Sequence, residues 1–218
     1  MGLWHLDEQT GSMAADSSRY HNNGTLTRFT DLSAVWVPGK FGNALAVENA
    51  GYVLVPFSPS IDSIATAVTV SAWFYYDGTI TEMDQYGTAI SRQIGTGIDQ
   101  YYHLSLRYAE GDPNLFIAPT AASTQQVMAM KAIPRSTWVH LAGTYDGMTE
   151  ALYVNGELVM PKAVSGHFAP DTTGVILGGN MNGSNVTEQF PGWIDEITLY
   201  NRALSPDEIA QLAQAPVL

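Results

Sequence analysis

The chain has 218 residues, 45% of them apolar and 14% charged, which is ample material for one large core and an ordinary length for a single all-β domain. Nine Lys and Arg against 21 Asp and Glu give a net charge of −12, so a phosphate backbone would be repelled and nucleic acid is excluded as a partner. Without cysteine there are no disulfides and no thiolate metal sites, and no apolar run approaches the roughly 20 residues that a bilayer-spanning helix needs.

Leu3 to Leu6 reads as a short strand, entered directly from Met1-Gly2 with no basic leader. The following DEQTGSMAADSSRYHNNGTL is polar, turn-rich and dense in oxygen donors, including Asp7, Glu8, Asp16, Asn22 and Asn23. Strand-like runs then come at close spacing: 44–47, 52–56, 68–76, 88–92, 101–108, 115–118 and 126–131. Gly, Pro, Asn, Asp and Ser clusters separate them, as in Pro38-Gly39-Lys40 and Ser58-Pro59-Ser60. The clearest stretch is WVHLAGTYDGMTEALYVNGELV, residues 138–159, in which Asp146-Gly147 and Asn155-Gly156 supply turns between three alternating runs. In its first run Val139, Leu141, Gly143 and Tyr145 share the core face, and the opposite face is expected to be open. After a strand at 175–177 and a polar break from Gly178 to Glu188, residues 192–201 form a last long strand. Ser205-Pro206-Asp207-Glu208 then caps a short helix reaching about Ala213. Many short strands, one terminal helix and no βαβ alternation predict an all-β, two-sheet antiparallel β-sandwich occupying residues 1–218 as one domain.

Several motifs, in order and over nearly the whole chain, resemble the laminin-G-like jelly-roll domains of the concanavalin A-like lectin/glucanase superfamily. They are LWHLDEQTG, ADSSRYHNNGTL, PGKFGNALAVENAGYVLVP, VTVSAWFYY, WVHLAGTYDG with LYVNGELV, and FPGWIDEITLYNRALSPDEIAQL. The resemblance implies two curved sheets, adjacent first and last strands, a calcium ion near where these meet, and recognition rather than catalysis. It also implies a secreted or cell-surface setting, attached to a larger protein.

Strict alternation through the last strand places Trp193, Asp195, Ile197 and Leu199 on one face, so a carboxylate falls in an apolar row and needs a neutralising partner. Basic residues are scarce, and the resemblance brings the loop around Asp16 and Asn23 beside this strand. The expectation is a structural calcium held by Asp16, Asn23 and Asp195 with backbone carbonyls, since calcium takes about 6 to 8 oxygens. The alternative is that Asp195 caps loop amides and Asp16 forms a turn.

No G-x-S-x-G, H-E-x-x-H or P-loop pattern occurs, and Asp195-Glu196, adjacent in a strand, cannot face one another as a glycosidase pair. The chain is therefore expected not to be an enzyme. For saccharide binding, aromatic rings and planar polar groups are required. Alternation along 101–108 turns Tyr101, His103 and Arg107 outward, and with Arg92 they form the expected ligand-binding residues. Trp73 and Trp138 are expected to be framework packing. The reading is a calcium-stabilised, lectin-like carbohydrate-binding module whose partner is an oligosaccharide or polysaccharide. A protein-binding adhesion module is the alternative, and a glycan-active hydrolase or lyase a third.

Overall fold

The computed structural model describes residues 2–47, 51–76, 86–93, 102–109, 112–120, 123–128, 134–168, 172–182 and 185–216. The strands of the first third are β1 (Gly2–Trp4), β2 (Met13–Ala14), β3 (Gly24–Thr27), β4 (Trp36–Pro38), β5 (Asn43–Val47), β6 (Tyr52–Val55) and β7 (Val68–Tyr76). Then come β8 (Tyr86–Gln93), β9 (Tyr102–Ala109), β10 (Asp112–Thr120), β11 (Ser123–Met128), β12 (Trp138–Tyr145), β13 (Thr149–Val154) and β14 (Glu157–Ala163). The last are β15 (Val175–Leu177), β16 (Asn180–Asn182), β17 (Asn185–Thr187) and β18 (Gly192–Tyr200), with helices α1 (Pro59–Asp62) and α2 (Pro206–Leu212).

These strands form two antiparallel sheets. One runs β14-β13-β12-β7-β18-β5-β4, with β1 also paired to β18. The other runs β11-β10-β9-β8-β15-β6-β3-β2, and β16 and β17 make a separate hairpin. First and last strands are thus neighbours, as the resemblance implied, with Gly2 opposite Leu199 and Trp4 opposite Ile197.

The alternation in VTVSAWFYY explains the central position of β7. Val68, Val70, Ala72, Phe74 and Tyr76 join the core between the sheets, and Thr69, Ser71, Trp73 and Tyr75 lie on the outer side. On β12, Val139, Leu141 and Tyr145 are in the same core. Gly143 completes that face because the facing sheet comes too close for a side chain: a Cβ there would lie 2.5 Å from Leu115. The turns between β12, β13 and β14 use the expected residues, with φ of 96° at Gly147, 51° at Asn155 and 83° at Gly156.

Two expectations about faces are corrected. The outer face of β12 is not open: His140, Ala142 and Thr144 are all buried. Ala142, Ala151 and Tyr153 pack with Leu204 and Ile209, which places α2 over that part of the sheet. The helix is held by a full capping box between Ser205 and Glu208. The second correction concerns β18. Asp195 pairs with Trp73 and Thr198 with Ser71, so Glu196 and Ile197 together oppose Ala72 alone, and Glu196 has φ of 50°. This bulge reverses the alternation midway. Ile194, Ile197 and Leu199 face the core, while Trp193, Asp195, Thr198 and Tyr200 lie outside; Asp195 is not in an apolar row with Ile197 and Leu199.

Short elements escaped the sequence. β2 and β3 lie inside the stretch read as a loop, β16 and β17 inside the Gly178 to Glu188 break, and α1 follows its Ser58 cap. Strands of two to four residues are too short for a period of two to register.

Glu150 is fully buried on the side of β13 that carries Leu152 and Val154. Burial pushes its carboxyl up from 4.5 to about 8, outweighing the pull of Lys162 and of the Val127 backbone. The folded state therefore holds a proton that the unfolded chain loses near 4.5, so this residue lowers stability as pH rises from about 4.5 through 8. In urea melts at pH 5 and pH 8.5, the native protein should lose on the order of a few kcal/mol more than Glu150→Gln across that interval. Equal pH dependence of the two proteins would show that Glu150 is solvated or paired.

Candidate functional site

Asp16 organises the N-terminal loop. Its Oδ1 accepts the backbone N–H of Leu3 at 2.8 Å and of Ser18 at 2.8 Å, and its Oδ2 accepts the Ser18 hydroxyl at 2.8 Å and the Asn22 N–H at 2.7 Å. A carboxylate offers about four acceptor positions, and four donors meet this one. Asn23 is brought to the same place, its Oδ1 accepting the Asp16 N–H at 2.9 Å. The neighbouring acids act alike: Glu8 accepts from Ala15 N–H at 2.7 Å and Asp7 from Asn43 N–H at 2.7 Å.

Asp195 belongs to a different set. Its Oδ2 accepts the N–H groups of Lys40 at 2.8 Å and Phe41 at 3.1 Å, in the turn joining β4 to β5, while its buried Oδ1 has no hydrogen-bond partner. Burial pushes this carboxyl up to about 7; the Phe41, Lys40 and Glu196 backbone N–H groups pull the other way and the Glu196 charge adds to the rise. Glu196 turns away to His5 Nδ1, 2.9 Å distant. The structure thus brings Asp16 and Asn23 together and gives Asp195 a separate loop to hold. Among the described residues no group of three or more His, Cys, Asp or Glu is placed to hold a metal ion. Of the carboxylate oxygens of Asp16 and Asp195, Asp195 Oδ1 is the one without a hydrogen-bond partner.

Of the expected ligand-binding residues, Arg92 is corrected to a structural role. It is only 3% exposed, and its guanidinium reaches Ile61 O and Asp62 Oδ1, both at 3.2 Å, fastening α1 to β8. Tyr101 lies outside the described residues, as do the side chains of His103 and Arg107, whose backbones belong to β9.

A different set of rings stands on the outer face of the β12-β7-β18 sheet. Trp138 pairs with Tyr75, and Tyr75 with Trp193. Tyr75 and Trp193 are stacked, 4.5 Å apart and 10° from parallel, and Trp138 lies 5.4 Å from Tyr75 and 6.4 Å from Trp193. All three side chains are only half-buried. Trp138 packs against its neighbours yet keeps part of its ring accessible, whereas Trp73 is only 4% exposed. The signal was present in the alternation of three separate strands, but their order in the sheet was not. In the next row along, His140 pairs with Trp73 and Trp73 with Asp195, and the Lys40-Phe41 turn lies over Trp73 and Asp195. The Lys40 ammonium sits 4.4 Å from the Trp73 ring centre, and the Phe41 ring meets Trp73 edge-on at 6.0 Å. Burial pushes His140 down to about 3, so its imidazole is neutral.

Residues 47–210 match the Laminin_G_3 model of the concanavalin A-like lectin/glucanases superfamily, so the chain belongs to that family. It is 30% identical to human pappalysin-1 over 158 residues, 66% of this chain, and 33% identical to the mouse protein over 116 residues. These matches span only 9% and 7% of the relatives' own lengths. Among solved structures, domain 4 of AbnA, an extracellular arabinanase from Geobacillus stearothermophilus in complex with arabinotriose, superposes with a TM-score of 0.72. It is 22% identical and aligns over 98% of this chain and 97% of that one. The carbohydrate-binding module CBM40 of the Ruminococcus gnavus IT-sialidase, bound to α2,3 sialyllactose, gives 0.61 at 18% identity over 77% and 96% of the two chains. At these identities the likeness is one of fold.

Asp16→Ala leaves the N–H groups of Leu3, Ser18 and Asn22 without their acceptor. The Asn22 donor is buried and the other two are partly buried, so at about 1–3 kcal/mol for a buried donor left unpaired the variant should lose about 1–3 kcal/mol in urea denaturation. A loss below about 0.5 kcal/mol would mean that solvent replaces the carboxylate at no cost.

Proposed function

We propose that this domain is a non-catalytic carbohydrate-binding module of a larger extracellular protein, and that it holds a neutral saccharide against Trp138, Tyr75 and Trp193. The observation that carries this reading is the ring cluster itself. Three large aromatic side chains are packed against one another on the outside of a sheet, with part of their surface left to solvent. Such rings present the apolar, π-rich faces that the C–H face of a sugar covers, and exposing them without a partner is unfavourable. The net charge of −12 disfavours acidic glycans at long range. Support for the class comes from the family and from two structural neighbours that carry saccharides. A non-catalytic reading agrees with how the adjacent acids are used: Asp195 holds a turn and Glu196 faces His5, so this pair does not flank a glycosidic bond. A ring cluster of this kind also anchors protein partners, which makes adhesion the second reading.

Glycan-array and affinity-electrophoresis measurements on Trp193→Ala and Tyr75→Ala should show retention weakened at least about tenfold, given the 1.4 kcal/mol that a tenfold change represents. Far-ultraviolet circular dichroism should be unchanged. Retention equal to that of the native protein would move the site elsewhere, to the sheet that carries β9 for instance.

Calcium is a separable part of this proposal. What supports an ion is the unpartnered Asp195 Oδ1, with backbone carbonyls to complete the sphere, while Asp16 and Asn23 would have to release the amides they hold. A structural ion should raise the melting temperature by several degrees in millimolar calcium relative to EDTA. Coincident melting curves would remove calcium from the reading.

A further inference from the structure

Behind the exposed ring cluster lies a row of three residues, one on each of the same three strands: His140, Trp73 and Asp195. They are 1%, 4% and 0% exposed, and each keeps one side-chain polar atom without a hydrogen-bond partner: His140 Nδ1, Trp73 Nε1 and Asp195 Oδ1. A buried polar atom left unpaired costs about 1–3 kcal/mol, so three in one transverse row are not explained by packing. Their chemistry is complementary. The indole N–H can only donate, the carboxylate oxygen accepts, and the neutral imidazole nitrogen does either according to tautomer. A calcium ion on Asp195 Oδ1, the separable proposal above, is the competing occupant of this atom and would leave the indole N–H unmet. A hydroxyl group, which donates and accepts, answers all three.

Over Trp73 and Asp195 in this row lies a four-residue turn, residues 39–42, between Pro38 and its partner Asn43. It is attached by polar contacts: the Lys40 and Phe41 N–H groups on Asp195 Oδ2, and the Lys40 ammonium over the Trp73 ring. Lys40 is exposed, Phe41 is partly buried with its ring against Trp73, and lifting the turn would uncover that contact. The hairpin pairing of Pro38 with Asn43 keeps both ends of the turn in place while its tip moves.

We propose that His140, Trp73 and Asp195 are the hydroxyl-reading floor of the saccharide site, uncovered when the 39–42 turn swings out. The floor lies about 7 Å along the strands from the ring cluster, at about 3.3 Å per residue. One sugar residue resting its apolar face on Trp138, Tyr75 and Trp193 therefore reaches it with adjacent ring hydroxyls. The ligand class that this selects is a neutral saccharide with a free vicinal diol. The inference rests on the glycan-binding reading above, but the opening of the turn does not.

Two measurements separate the two. Hydrogen exchange on the full protein without ligand should show the Lys40 and Phe41 amides exchanging at least about tenfold faster than those of β7 and β18, at a rate unmoved by sub-denaturing urea, which is the mark of local opening. Exchange together with the core would mean that the turn opens only on global unfolding, and would overturn the proposal. Titration calorimetry with arabinotriose and with neutral gluco-, xylo-, manno- and galacto-oligosaccharides should then show Trp73→Phe and His140→Phe each weakening binding at least about tenfold, with ring packing kept. Binding lost in Trp193→Ala but unchanged in both of these variants would leave the ring cluster standing and reduce the floor to a site for buried water. No binding by the native protein to any of these sugars would overturn the glycan reading and the floor with it.

Discussion

β18 is paired along one edge with β7 and along the other first with β5, through residues 192–194, and then with β1, through residues 197–199. Two strands cannot share one edge without a break, and the extra residue at Glu196 supplies it. The left-handed backbone there lets the strand step sideways between partners while every inward position stays apolar. All else on the outer face follows from this step: Asp195 is directed outward, where the turn after β4 crosses, and Trp193 falls into register with Tyr75 and Trp138.

The outer face is then divided. At one end α2 covers Ala142, Ala151 and Tyr153 with Leu204 and Ile209, and the turn at 39–42 covers Trp73 and Asp195. The ring cluster beyond the turn is left half-covered. Acidic residues fasten these coverings. Asp16, Glu8, Asp7 and Asp195 each accept backbone N–H groups from loops, the task that disulfides perform in smaller secreted folds. A carboxylate with two strong acceptor oxygens suits this, and the surplus of Asp and Glu has a structural use before any metal is invoked.

Much of this was legible beforehand. The turn residues at 146–147 and 155–156 and the long alternation of β7 and β12 specify the central strands, because each turn needs positive φ and each strand a period of two. Ser205 to Glu208 specifies the helix through its own capping bonds. The site was legible only in part. Trp193 read as one of a row on the last strand, Trp138 as packing and Arg92 as a ligand residue. Arg92 is instead buried against Ile61 and Asp62, thirty residues away in the chain, which alternation within one strand cannot reveal.

The residues themselves determined the all-β sandwich, its central meander and its terminal helix, since periodicity, turn chemistry and capping act over a few neighbouring positions. Which strands lie side by side, where the bulge in β18 falls, and which of the outward side chains remain uncovered were decided by tertiary structure alone. Those choices depend on contacts between segments distant in the chain, such as Trp193 on Tyr75 and Asp195 under Lys40, and no local pattern carries them.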